Sequence, residues 1–205
     1  MTARDEILAR VRSAVAAVDA GALQVPRDYR RAHANGDLVG LFCARAADYR
    51  AEVRPVAVSQ LATAVAEAVA VRDVRSVAVP ADLPGWWLAE VDAEVRRDDP
   101  PLSVSGLDAC GAAVTGCAVA IAQTGTLVLD SGPRQGRRAL TLLPDLHVCV
   151  VESARVLADV PDAVAALDPA RPQTWVSGPS ATSDIELNRV EGVHGPRSLV
   201  VLVVE

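Results

Sequence analysis

The stretch Gly116–Leu129, GCAVAIAQTGTLVL, sets two short apolar runs on either side of a polar Gln-Thr-Gly kink. Cys117–Ala122 and Thr126–Leu129 are each too short for a stable helix. Gly125 admits the positive φ of a tight turn, so the segment predicts a strand, a turn and a second strand. Such a turn exposes the Gln123 side chain, the Thr124 and Thr126 hydroxyls and several backbone N–H groups beside two buried strands, which suits a polar ligand. A plain hairpin whose threonines satisfy their own turn is the simpler alternative. The wider run Ala109–Leu129 is uncharged over membrane-spanning length. Gly111, Thr115, Gly116, Gln123, Thr124 and Gly125 interrupt it, which favours core strands over a bilayer helix.

Composition narrows the chemistry. The 205 residues suffice for one domain with a sizeable core. Half of them are hydrophobic but only 3% are aromatic, so Ala, Val and Leu must fill that core. A net charge of −6 argues against a nucleic-acid partner, and six aromatic residues leave little for a base-stacking platform. There is no lysine, which excludes Schiff-base catalysis, a Walker-type phosphate lysine and a lysine general base. Anions must be held by arginine, backbone amides or a helix N-terminus. Cys43, Cys110, Cys117 and Cys149 lack the spacing of an iron–sulfur or structural zinc motif, and no cofactor or metal is expected. MTARDEILAR is charged from its fourth residue and has no apolar signal region, so a cytoplasmic protein without a membrane partner is expected.

Along the chain, Thr2 with Asp5 or Glu6 starts a helix whose apolar face is Ile7, Leu8, Val11, Val15 and Val18. Residues 1–36 read as an N-terminal helical arm laid on the body, and 37–205 as the main domain. Leu38–Ala51 suits a helix, Glu52–Val58 a strand, and Ser59–Val71 a helix capped by Ser59. Val74–Val79 and Ala93–Arg97 suit strands, with short helices over Gly85–Val91 and Ser105–Cys110. After the opening hairpin come an arginine-bearing loop, Ser131–Arg138, a strand at Leu146–Val151 and a helix over Pro161–Leu167. A strand at Thr174–Val176, a short helix near Ser183 and a strand at Leu199–Val204 close the chain. Strands alternating with helices give an α/β class with a mixed, largely parallel sheet flanked by helices.

Five stretches in chain order, VTGCAVAIAQTGTLVL above all, are similar to the LUD-domain family and its LutC-like lactate utilisation proteins. The others are Val25–Tyr29, Leu143–His147, Ser177–Glu186 and Gly192–Arg197. The resemblance implies the α/β fold shared by CoA transferases, ribose-5-phosphate isomerase and glucosamine-6-phosphate deaminase. It also implies a part in a three-component cytoplasmic system that oxidises L-lactate to pyruvate. The iron–sulfur sister subunits would be the partners, and this chain an accessory, non-redox subunit. Related sequences usually carry Glu or Asp where this chain has Gln123. CoA transferases use a glutamate nucleophile, and glutamine cannot ionise to replace it. An independent enzyme or binding protein for a small anion (a CoA ester, a sugar phosphate or a folate-like molecule) is the alternative.

A second candidate site is Ser177–Glu186. The strand Thr174–Val176 runs into Ser-Gly-Pro-Ser, then into Ser183-Asp-Ile-Glu186 with capping-box spacing. Ser177, Gly178, Ser180 and Thr182 can present hydroxyls and amides to a phosphate or carboxylate, or merely close an ordinary strand-to-helix turn. Both loops follow carboxyl ends of strands, where open α/β sheets hold ligands, so they are expected to share one cleft. The loop Gly132–Arg138 is expected to overhang it, with Arg137 or Arg138 as anion clamp and Arg134 solvated. His147 and His194 precede apolar strands, at the ends opposite the ligand loops in a simple parallel arrangement. His194 is the better catalytic candidate, ahead of Asp184 and Glu186, which capping explains equally well. Trp86 and Trp87 are expected to pack under the sheet.

Overall fold

The computed structural model describes residues 2–17, 26, 36–182, 190–191 and 195–205. Its strands are β1 (Glu52–Val56), β2 (Ser76–Val79), β3 (Glu94–Arg97), β4 (Ala112–Gly116), β5 (Val119–Ile121), β6 (Thr126–Leu129) and β7 (Leu146–Glu152). The remaining strands are β8 (Val156–Leu157), β9 (Thr174–Val176), β10 (Ala181–Thr182), β11 (Val190–Glu191) and β12 (Ser198–Val204). The helices are α1 (Ala3–Val15), α2 (Leu38–Asp48), α3 (Leu61–Ala70), α4 (Val104–Asp108) and α5 (Val160–Ala166). Six strands, ordered β1-β12-β7-β4-β2-β3, form a wholly parallel sheet. A second sheet, β8-β5-β6-β9, is mixed, with β6 antiparallel to both neighbours. The α/β class with a largely parallel sheet is the one the alternation implies.

Strand alternation divides the core in two. From β7 and β12, Leu146, Val148, Val150, Val200 and Leu202 pack against Leu61, Val65 and Val69 of α3 and against Trp87. On the opposite face, Cys149, Val151, Val201 and Val203 meet Phe42 and Ala46 of α2 together with Ala120 and Leu127 of the second sheet. The central strands are buried on both faces, which is why they read as unbroken Val, Leu and Ala. Helix caps are local: Asp37 accepts from the Gly40 N–H and Ser103 from the Gly106 N–H.

Several elements depart from the sequence reading. Thr2 and Asp5 do form a reciprocal capping box, but α1 buries none of its side chains. Ile7, Leu8, Val11 and Val15 all face solvent, so the described arm is not laid on the body. Val18 lies outside the described residues. Ser59 does not cap α3, because Val58–Gln60 forms a 3-10 turn that feeds the helix directly. The short helix near Ser183 lies outside the described residues. Trp87 packs under the sheet as expected, whereas Trp86 is half exposed. No helix among the described residues is long and apolar enough to cross a membrane.

Candidate functional site

The two loops do meet, and α2 is what brings them together. Gly125, at φ +61°, lies so close to the end of α2 that a Cβ there would sit 2.5 Å from the Arg45 carbonyl carbon. Gly178, at φ +82°, lies equally close to Tyr49, and its Cβ would fall 2.8 Å from that of Tyr49. With both loops seated on one helix end, the Thr126 hydroxyl lies 2.8 Å from that of Ser177 and 2.7 Å from that of Thr124. Each hydroxyl both donates and accepts, so the three form a continuous relay.

Ser177 opens onto a cleft of about 250 Å³ lined by Arg138, Thr141, His147, Thr174 and Ser177–Ser180, with Leu142, Trp175, Pro196 and Leu199 as its apolar walls. Arg138 Nη1 donates to the Thr174 hydroxyl at 2.8 Å, which holds the guanidinium at the exposed rim. Among the described residues no carboxylate lies within 4.0 Å of it. His147 forms part of the floor. It is buried, its Nε2 is 2.8 Å from the Thr115 hydroxyl, and burial pushes its imidazole down to about 4 from an ordinary 6.5. At neutral pH the ring is uncharged and serves as a hydrogen-bonding group, not a cation. One exposed cation, several hydroxyls, a neutral imidazole and an apolar wall make a site for a small anion that also carries polar and apolar groups.

This geometry corrects the expected placement of His147. The chain reaches Ser177 along β9, which runs antiparallel to β6 in the second sheet. It therefore returns to the amino ends of β7 and β12, where His147 and Leu199 lie, and His147 shares the cleft with the Ser177 loop. Leu142, Thr174, Trp175 and Leu199 were not anticipated either, because only the antiparallel pairing brings them together. Thr124 and Thr126 stand behind Ser177, and Gln123 is exposed at the tip of the turn. Thr182 lies in β10, paired with Val190 of β11. His194, Asp184 and Glu186 lie outside the described residues.

Of the arginine loop only Arg138 reaches the cleft. Arg137 is turned away and grips Asp98 with two bonds, Nε to Oδ2 at 2.7 Å and Nη2 to Oδ1 at 3.0 Å, and also donates to the Leu102 carbonyl. The Asp98 carboxyl, nearly buried, is held below its usual range by that guanidinium. Arg137 is thus a clamp on the chain and not on a ligand. Arg134 is not solvated: it pairs with Glu152 at 2.7 Å and lies over the Trp87 ring. Removing the clamp leaves Asp98 with the Leu102 N–H as a remaining donor. Arg137→Ala is therefore expected to cost about 1–2 kcal/mol in urea unfolding at neutral pH. Adding Asp98→Asn should recover part of that loss, and a double variant as unstable as the sum of the singles would remove the pair from the account.

Comparison with known proteins agrees with this architecture. The LUD domain family matches residues 106–204. A lactate utilization protein C from Deinococcus radiodurans is 46% identical over 209 residues, covering 98% of this chain and 95% of that protein. One from Geobacillus kaustophilus is 33% identical over 58% of this chain and 53% of its own length. The crystal structure of a DUF162 family protein from Deinococcus radiodurans superposes with a TM-score of 0.69 at 40% identity, over 82% of this chain and 97% of that one. Likeness over almost the whole of both sequences places this chain in the LUD-domain family, among its LutC-like members.

Proposed function

We propose that this chain acts in L-lactate utilisation as an accessory, non-redox subunit of an iron–sulfur system that oxidises lactate to pyruvate. The observation that carries the reading is the 46% identity to a lactate utilization protein C across 95% of that protein's length. The placement of the cysteines supports the division of labour. Cys110, Cys117 and Cys149 are buried and Cys43 is half-buried on α2, each among apolar neighbours. Electron transfer to an acceptor would then belong to the sister subunits.

The test is L-lactate-dependent acceptor reduction by the reconstituted iron–sulfur subunits, with and without this chain. Activity is expected to require it, and Arg138→Gln is expected to lower that activity about tenfold if the cleft takes part. Undiminished activity without the chain would remove it from lactate oxidation.

A second reading has its own observation, the Arg138 guanidinium at the rim of a cleft floored by neutral His147. The cleft then binds a small anion such as a CoA ester, a sugar phosphate or a folate-like molecule independently of any partner. At one hundred times its dissociation constant a true ligand raises stability by about 2.7 kcal/mol, a clear thermal shift that Arg138→Gln should abolish. An unchanged melting temperature with all three classes would sink this alternative.

A further inference from the structure

The charge in the Ser177 cleft is one-sided. Among the described residues no carboxylate lines it, and its cation is Arg138. One Nη1 hydrogen of that guanidinium goes to the Thr174 hydroxyl at 2.8 Å, while Nε and Nη2 bond to nothing among the described residues. Arg134 and Arg137 of the same loop are by contrast taken by Glu152 and Asp98. A planar fork of this kind matches a carboxylate with two parallel hydrogen bonds. It also neutralises a single charge. A phosphate monoester carries about 1.5–2 negative charges at neutral pH, and no second described cation lines the cleft to meet the excess.

The floor adds a second polar contact. His147 is 2% exposed and lies beside Leu199 in the β7–β12 register, so the two side chains share a face. Its Nε2 is taken by the Thr115 hydroxyl. Nδ1 makes no hydrogen bond to any described residue, yet among those residues no sealed polar side-chain atom is without a partner. Nδ1 is therefore not sealed, and the cleft that His147 floors is where it opens. The neutral ring either donates or accepts there, according to its tautomer, and a ligand hydroxyl answers both. Leu142 and Leu199 offer an apolar wall to a short alkyl group. At about 250 Å³ the cavity is smaller than the roughly 300–1,000 Å³ of pockets for drug-sized ligands, which selects a molecule of few heavy atoms.

We propose that this cleft binds a short-chain 2-hydroxymonocarboxylate, with the carboxylate on the Arg138 fork, the 2-hydroxyl on His147 Nδ1 and the alkyl group against Leu142 and Leu199. The inference deepens the lactate reading, on which the choice of L-lactate as the compound rests. It makes this subunit a holder of the system's own substrate, and it sets the cleft apart from a site for phosphate esters.

The intact chain is titrated by calorimetry at neutral pH with L-lactate, propionate and inorganic phosphate in turn. L-Lactate is expected to fill one site with a dissociation constant of about 1 mM or tighter. Propionate keeps the carboxylate and the alkyl group but lacks the hydroxyl, so it is expected to bind about tenfold more weakly, and phosphate no better than propionate. Arg138→Gln, at the exposed rim, is expected to weaken L-lactate by about tenfold or more while the melting temperature of the free protein is unchanged. No saturable heat with L-lactate up to about 20 mM, propionate or phosphate binding as tightly as L-lactate, or full L-lactate affinity in Arg138→Gln would each overturn the assignment. The lactate reading fails separately. Acceptor reduction that requires this chain although L-lactate does not bind it removes the cleft assignment alone. L-Lactate binding by a chain that acceptor reduction does not require upholds the cleft and removes the accessory role.

Discussion

Gly125→Ala is expected to destabilise the protein by about 4 kcal/mol or more, among the largest single-residue effects this fold allows. A Cβ at this position would fall 2.5 Å from the Arg45 carbonyl carbon and 2.8 Å from the Ala46 Cα, and its nearest atom, the Ala46 nitrogen, is closer still. All three are backbone atoms of a helix, so no side chain can swing aside to relieve the clash. The φ of +61° adds the ordinary left-handed cost of an L-residue. Relief requires the β5–β6 turn to lift from α2, which opens the packing of Phe42 and Ala46 against Ala120 and Leu127. For a chain of this size that loss lowers the melting temperature by roughly 8–16 °C.

The same lift would carry Thr126 away from Ser177, so the variant should also lose ligand response in the Ser177 cleft. Thr124→Ala separates the two effects. It removes one hydroxyl from the relay without any clash and is expected to cost only about 1 kcal/mol. Thermal unfolding of both variants decides the matter. If Gly125→Ala is as mild as Thr124→Ala, the turn does not rest on α2 and the joining of the two loops needs another cause.

These positions show what the sequence could and could not convey. The strands were legible because Val, Leu and Ala dominate where both faces are covered; Thr126–Leu129, buried throughout, has the predicted bounds. The meeting of the Gln123 and Ser177 loops was legible too, because both follow carboxyl ends of strands, whereas their seating on α2 through Gly125 and Gly178 was not. What the sequence hid was direction. Nothing in Thr174–Val176 marks it as antiparallel to β6, and that one reversal moves His147 from the far end of the sheet into the cleft. Arginine partners were equally hidden: three guanidiniums within five residues go to Glu152, Asp98 and Thr174, and distant chain positions select among them. The apolar spacing of α1 suggested packing onto the body, yet that face is exposed, because periodicity reveals which face is apolar and not what lies against it.

His147 makes the second large effect a pH dependence. Unfolded, its imidazole titrates near 6.5; folded, burial holds it down to about 4. Between those values the unfolded chain binds a proton that the native state refuses, so acid favours unfolding. The stability is fully present above pH 6.5 and is lost as the pH falls toward 4, a change on the order of 3 kcal/mol. Paired carboxylates such as Asp98 and Glu152 also lose stability in acid, but they start from ordinary values of 3.8 and 4.5, so their losses lie lower. Among the described residues the upper window belongs to His147. His147→Gln keeps a hydrogen-bonding group for the Thr115 hydroxyl and removes the titration. Urea unfolding at closely spaced pH values should show the wild type weakening between pH 6.5 and 4.5, while the variant stays nearly flat until the carboxylates protonate. An equal slope in the variant would mean that His147 takes up its proton in the folded state, and the cleft floor would then carry a positive charge in mild acid.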